Sequence, residues 1–132
     1  MIDYSNEIFT KIANAVWKIH GKETQVIGEY VATPKRFPCV TVDEILNIPS
    51  QKDNRKEKFV NVTYRVQVFS NKTRGKRAEA RQIFHTVSDA MYELNLIGKT
   101  YTTLPEVYNS EIYQIKATFE ATIRDDGTIY RR

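Results

Sequence analysis

The chain has 132 residues, with 41% apolar and 27% charged side chains and a formal net charge of +4. That size fits one folded domain, and the balance of apolar and charged residues excludes a disordered chain. The apolar runs are far too short to cross a bilayer, and the lone Cys39 excludes an intrachain disulfide or a cysteine-built zinc site.

The opening Met1-Ile2-Asp3-Tyr4-Ser5 carries an acid and no basic n-region, so no secretory signal is expected. A first helix is expected to start near Asp3 or Ser5, both good N-cap residues. Ile8, Ile12, Val16 and Ile19 recur at fours and threes along it, and Gly21 is placed to end it. Gln25–Val31 reads as a strand with Gly28 as a bulge inside it. Thr33-Pro34 and Phe37-Pro38 bracket a turn, and a second strand runs from Cys39 to about Ile48, where Pro49 ends it.

The segment Ser50–Lys58 has no apolar residue and reads as a flexible hairpin loop at about 50–58. In the next strand Val60, Val62, Tyr64, Val66 and Val68 alternate with Asn61, Thr63, Arg65 and Gln67. A period of two gives one wall on a core and one polar wall in water. On that basis Val66→Asp should unfold the domain and Gln67→Asp should be mild. The second helix carries Ala80, Ile83, Phe84, Val87, Ala90, Met91 and Leu94 on one stripe. Thr100–Leu104 reads as a strand ended by Pro105. Tyr113, Ile115, Ala117, Phe119, Ala121 and Ile123 then alternate with polar residues. Asp125-Asp126-Gly127-Thr128 is a hairpin turn, returning Thr128–Arg131 as a short terminal strand.

The order is α-β-β-β-α-β-β with that terminal strand. Consecutive strands should pair antiparallel, and each helix has one apolar stripe. The expected fold is α+β, two-layer, with a mostly antiparallel sheet and both helices on one face. A strand of about twelve residues spans roughly 40 Å, against a diameter of roughly 36 Å for a domain of this size, so it overhangs the body and calls for pairing.

Catalytic chemistry is not visible. His20 and His85 lie far apart, and Cys39 sits in an apolar strand as a small filler. Asp43-Glu44 and Asp125-Asp126 are neighbours in sequence only. Five scattered glycines form no phosphate cradle, and no serine sits in a nucleophile elbow. The expectation is no enzyme, with no catalytic, metal or cofactor site. Lys72, Arg74, Lys76, Arg77 and Arg81 gather at the start of the second helix, where cations oppose the macrodipole. An acidic partner, a phosphate or Glu79 on the same helix is a candidate to offset them. The candidate partner contacts are therefore Lys52, Arg55, Lys56 and Lys58 on the loop, and Arg74, Lys76, Arg77 and Arg81 on the helix. A merely solvated face is the bland alternative for both groups. Tyr92, Tyr101, Tyr108 and Tyr113 are candidate interface anchors.

A pattern now joins these features. It consists of the Met1-Ile2-Asp3-Tyr4-Ser5-Asn6-Glu7-Ile8 opening, the Pro34-x-x-Phe37-Pro38 turn and the hairpin into Tyr64-x-Val66-x-Val68-x-Ser70-Asn71-Lys72. Gly75-Lys76 and Glu79-Ala80 then open a helix ending near Met91-x-x-Leu94, and a long alternating strand closes it. In order and spacing the chain resembles the tail terminator and tail-completion proteins of long-tailed bacteriophages and phage-tail-like particles. Leu96-Ile97-Gly98 and the stretch 100–110 depart from that pattern.

The resemblance implies self-association into a ring, usually a hexamer, that caps the head-proximal end of a tail tube and ends its growth. It implies contacts with the tail tube protein and with a sheath or neck connector protein, DNA passage through the lumen, and no membrane. The implied location is a virion or tail-like particle assembled in the bacterial host cytoplasm. A head-tail connector or joining protein of the same neck is the first alternative. A small nucleic-acid-binding domain, carried by the helix-two cations, is the second.

Overall fold

The computed structural model describes residues 1–53, 56–105 and 111–131. In chain order these form α1 (Ser5–His20), β1 (Gln25–Ile27), β2 (Cys39–Asp53), β3 (Lys56–Ser70), α2 (Lys76–Glu93), β4 (Ile97–Pro105), β5 (Tyr113–Arg124) and β6 (Ile129–Arg131). The strands make one sheet in the order β1-β2-β3-β5-β4, with β6 paired to the end of β5. The α1 helix packs on β2 and against α2, which covers β3 and β5. This is the two-layer α+β arrangement that the alternating strands and striped helices call for.

The inner wall of β3 is buried throughout, from Val60 to Val68, and meets Ile8, Ile12 and Val16 of α1 and Ala80, Ile83, Val87 and Met91 of α2. Val66 lies between Val42 and Ala117, and Tyr64 beside Phe119. Each such aliphatic side chain stabilises the fold by about 1.5–3 kcal/mol relative to leaving it in water. The N-cap of α1 is Tyr4, not Asp3 or Ser5, and it makes no side-chain cap bond; just before it, Asp3 Oδ1 accepts bonds from the Ser5 amide (3.0 Å) and hydroxyl (2.6 Å). It stops at Gly21, whose φ of +91° suits a residue without a side chain.

Four further expectations are corrected. First, β1 ends at Ile27, so Gly28 follows the strand and is not a bulge within it. Second, β1 and β2 pair in parallel, with Gln25 opposite Cys39. The connection 28–38 crosses back over the outer face of the sheet, and Ile27, Val31 and Phe37 pack there with Cys39, Phe69 and Ile112 as a second small core.

Third, Pro49 does not end β2, which continues to Asp53 opposite Lys56. β2 lies at the sheet edge at this point, where a missing N–H leaves no ladder bond unmade, and the register slips beside Pro49. Much of the expected loop 50–58 is therefore paired backbone, although residues 54 and 55 lie outside the described residues. Fourth, the polar wall of β3 is not solvated at every position. Gln67 is 1% exposed beneath the 28–38 crossover side of the sheet.

Candidate assembly interface

The candidate cations fall into two groups at opposite ends of β3. Its 15 residues put those ends roughly 50 Å apart, so the cations do not form one patch. At one end Lys52 and Lys56 belong to the paired tips of β2 and β3, and Arg55 lies outside the described residues. Lys58 is half-buried, with its ammonium 5.9 Å from the Phe59 ring centre, and its carbonyl accepts a bond from the Asp125 amide. At the other end Arg74, Arg77 and Arg81 are exposed and Lys76 half-exposed.

Glu79 answers the macrodipole problem at the start of α2. It sits in the first helical turn, and Ser70 Oγ donates to its Oε1 at 2.7 Å. Gly75, at φ +82°, makes the left-handed step into the helix. Further along, Arg81 and Arg77 influence Tyr113. Burial alone would raise that phenol, but hydrogen bonds from Thr103 and Arg81 and the charges of Arg81 and Arg77 outweigh it and lower its pKa. Tyr108 lies outside the described residues.

His20 joins the helices, with Nε2 2.8 Å from Thr86 Oγ1. Thr86 itself donates to the Gln82 carbonyl, which leaves its oxygen to accept from an Nε2–H tautomer. Burial lowers the imidazole pKa, partly opposed by Glu79. His85 is exposed on α2. Cys39 is fully buried, which pushes its thiol up to about 11. Among the described residues no group of three or more His, Cys, Asp or Glu could hold a metal, and no helix is long and apolar enough to cross a membrane.

The two flanks of the sheet hold the features that sequence reasoning missed. On the β2 flank, β1 pairs only with Cys39–Thr41, so beyond Val42 no described strand lines that edge. Ile45, Leu46 and Ile48 stand exposed there, at 39%, 50% and 52%. The signal was present in sequence: an apolar pair, Ile45-Leu46, breaks the alternation where the register slips between Glu44 and Leu46. Beside them a groove of about 730 Å³ is lined by Asp3, Phe9, Glu29, Asp43, Glu44 and Tyr64, among others. Tyr64 donates to Glu44 Oε2 at 2.8 Å, and Asn47 Nδ2 bridges Glu44 Oε1 and the Ile2 carbonyl. Burial, then the Glu44 bond and the charges of Glu44, Asp3 and Glu7, raise the Tyr64 phenol. Arg65 grips Asp43 through two nitrogens, at 2.6 and 3.2 Å, and stacks 4.4 Å from the Tyr30 ring centre.

On the opposite flank β4 pairs, among the described residues, only with β5. Tyr101, half exposed, meets Phe84 edge-on at 5.1 Å and tilts toward Phe119 at 5.9 Å. Gly98 leaves room for the Tyr101 ring, which would collide with any Cβ there. Arg81, His85 and Tyr92 line the groove of about 470 Å³ between α2 and this strand. One flank is thus acidic with exposed aliphatics, and the other is basic and aromatic.

No family model matches the sequence, and no curated protein matches it either. Its fold is similar to that of a solved chain described as belonging to the virion of a native gene transfer agent particle. The TM-score is 0.66 at 12% identity, over 92% of this chain and 94% of that one.

Proposed function

We propose that this chain is a structural protein of a phage-like particle, and that it forms a ring capping the head-proximal end of a tail tube. The likeness of its fold, over nearly the whole of both chains, to a gene transfer agent virion component carries this reading. The ordered sequence pattern described above supports the terminator role in particular. Two sheet edges without a strand partner among the described residues, and an exposed aliphatic row, support self-association. The ring ends tube growth by occupying the terminal subunits, and offers its other side to a connector, with sheath contacts in a contractile particle. Recognition is by shape and charge, without a catalysed covalent step. DNA passes through the lumen, and the particle assembles in the host cytoplasm.

Co-expression with the cognate tube protein tests the role. Tube length stays bounded when this chain is present, and tubes of unchanged, broad length distribution overturn the terminator reading. The similar chain is described only as part of a gene transfer agent virion, so a neck connector or joining protein is the competing outcome. Labelling separates them: a terminator is found on tails lacking heads, and a connector on heads lacking tails.

A further inference from the structure

Among the described residues the sheet is open at both sides, and the two open edges belong to different strands. Beyond Val42, β2 lacks a described neighbour on one flank, and β4 lacks one on the other. An exposed edge is a template for another strand. A contact between these two different edges is not a two-fold contact of like with like. It is a head-to-tail contact, which repeats and closes if the rotation allows.

Strand direction adds a further condition. β2 and β5 run one way, and β3 and β4 the other. Rotating a second copy about an axis along the strands preserves every direction and keeps the helices on one side. The β2 edge of one copy then meets the β4 edge of the next antiparallel, which is the more stable ladder. The flanks are also complementary in charge. Asp3, Glu29 and Glu44 line the β2 side, while on the β4 side Arg81 lines the groove, Arg77 acts on Tyr113 beside the end of β4, and Lys99 belongs to β4 itself. Apolar Ile45, Leu46 and Ile48 would gain cover from the neighbouring strand.

From this we infer that the partner of the β2 edge, Asp43–Asp53, is the β4 edge, Ile97–Pro105, of a second copy of this chain. This rests on the ring reading and specifies its contact: a continuous antiparallel sheet passing from subunit to subunit, with the helix layer on one side only.

Cross-linking tests it. Leu46 and Ile48 share the outer face with Thr63 and Asn61, and Thr100 and Thr102 lie on that same face of β4. All four are exposed, and Cys39 is buried and stays in place. Each of Leu46→Cys and Ile48→Cys is combined with each of Thr100→Cys and Thr102→Cys. The four proteins and their single variants are treated with a short bismaleimide and run on denaturing gels. The expected result is a ladder of covalent multimers from at least one double variant and none from the singles. Assemblies that sediment as rings yet give no ladder in any combination overturn the edge pairing alone. Strong dimer from a single variant marks a two-fold contact and also overturns it. Monomers at every concentration in sedimentation overturn the ring reading and this contact together.

Discussion

Thr41 Oγ1 donates to Gln67 Oε1 at 2.8 Å, and both side chains are buried on the face of the sheet that carries no helix. The pair lies on the wall that alternation marks as solvated. Gln67→Asp is therefore expected to be costly, by at least about 3 kcal/mol, because it puts a carboxylate where an amide is enclosed. Asn61→Asp is the contrast. Asn61 is half-buried and accepts from Thr122 Oγ1 at 2.7 Å, a role a carboxylate can keep, so the change stays within about 1 kcal/mol. Urea midpoints of the two variants check this, and equal midpoints would refute it.

Val66 is fully buried between Val42 and Ala117, under the helix layer. Val66→Asp removes core contacts and strands an unpaired charge, and the expected outcome is loss of cooperative folding. Val66→Ala costs about 2–3 kcal/mol and still folds, by analogy with other truncations of buried aliphatics. Circular dichroism melts distinguish the two.

The His20 imidazole has a folded pKa below its ordinary value of 6.5, chiefly through burial. The unfolded chain then binds more protons than the folded one in this window, so stability rises with pH there. Its contribution is fully present above pH 6.5 and is lost as pH falls toward the folded pKa. Stability measured between pH 7.5 and about 5 should fall, and the slope should shrink in His20→Gln. An unchanged slope would assign it to other groups.

Gly98→Ala drives a methyl into the Tyr101 ring and displaces it from Phe84 and Phe119. Two aromatic contacts of about 0.5–1.5 kcal/mol each are at stake. In a double-mutant cycle the cost of Gly98→Ala should largely vanish in a Tyr101→Thr background. Additive losses would show that the backbone, and not the ring, resents the methyl.

Cys39 should resist modification in the native state. Its thiol is enclosed by Phe69, Ile112 and the crossover, and its pKa is pushed up to about 11. At pH 8 a thiol reagent is expected to react only at the rate of opening, and rapidly once urea unfolds the chain. Fast native labelling would mean that the second core is open.

Much of this architecture was legible in the chain because burial imposes period. The row from Val60 to Val68 and the stripe from Ala80 to Met91 each appear where alternation and helical spacing put them. Partner choice and strand length were less accessible. Pro49 usually terminates a strand, yet an edge position spares it from donating. The parallel step of β1 depends on what 28–38 packs against, and Phe37 and Val31 give no local sign of that. The cations at the start of α2 were visible, but the Ser70–Glu79 bond that anchors this turn joins two elements and carries no sequence signature. The Ile45-Leu46 pair was readable as a defect in alternation, and it marks the flank where function is proposed.

The antiparallel arm also makes the two ends of the molecule unlike. Cys39, Ser70 and the cationic opening of α2 share one end, while the β2–β3 tip and the Asp125-Asp126 turn, held by Tyr4, share the other. Copies arranged by rotation about the strand direction would inherit that difference as two dissimilar rims, one carrying the helix-opening cations and the other a mixture of cations and carboxylates. Such a body can distinguish what approaches from above from what approaches from below, with no moving part.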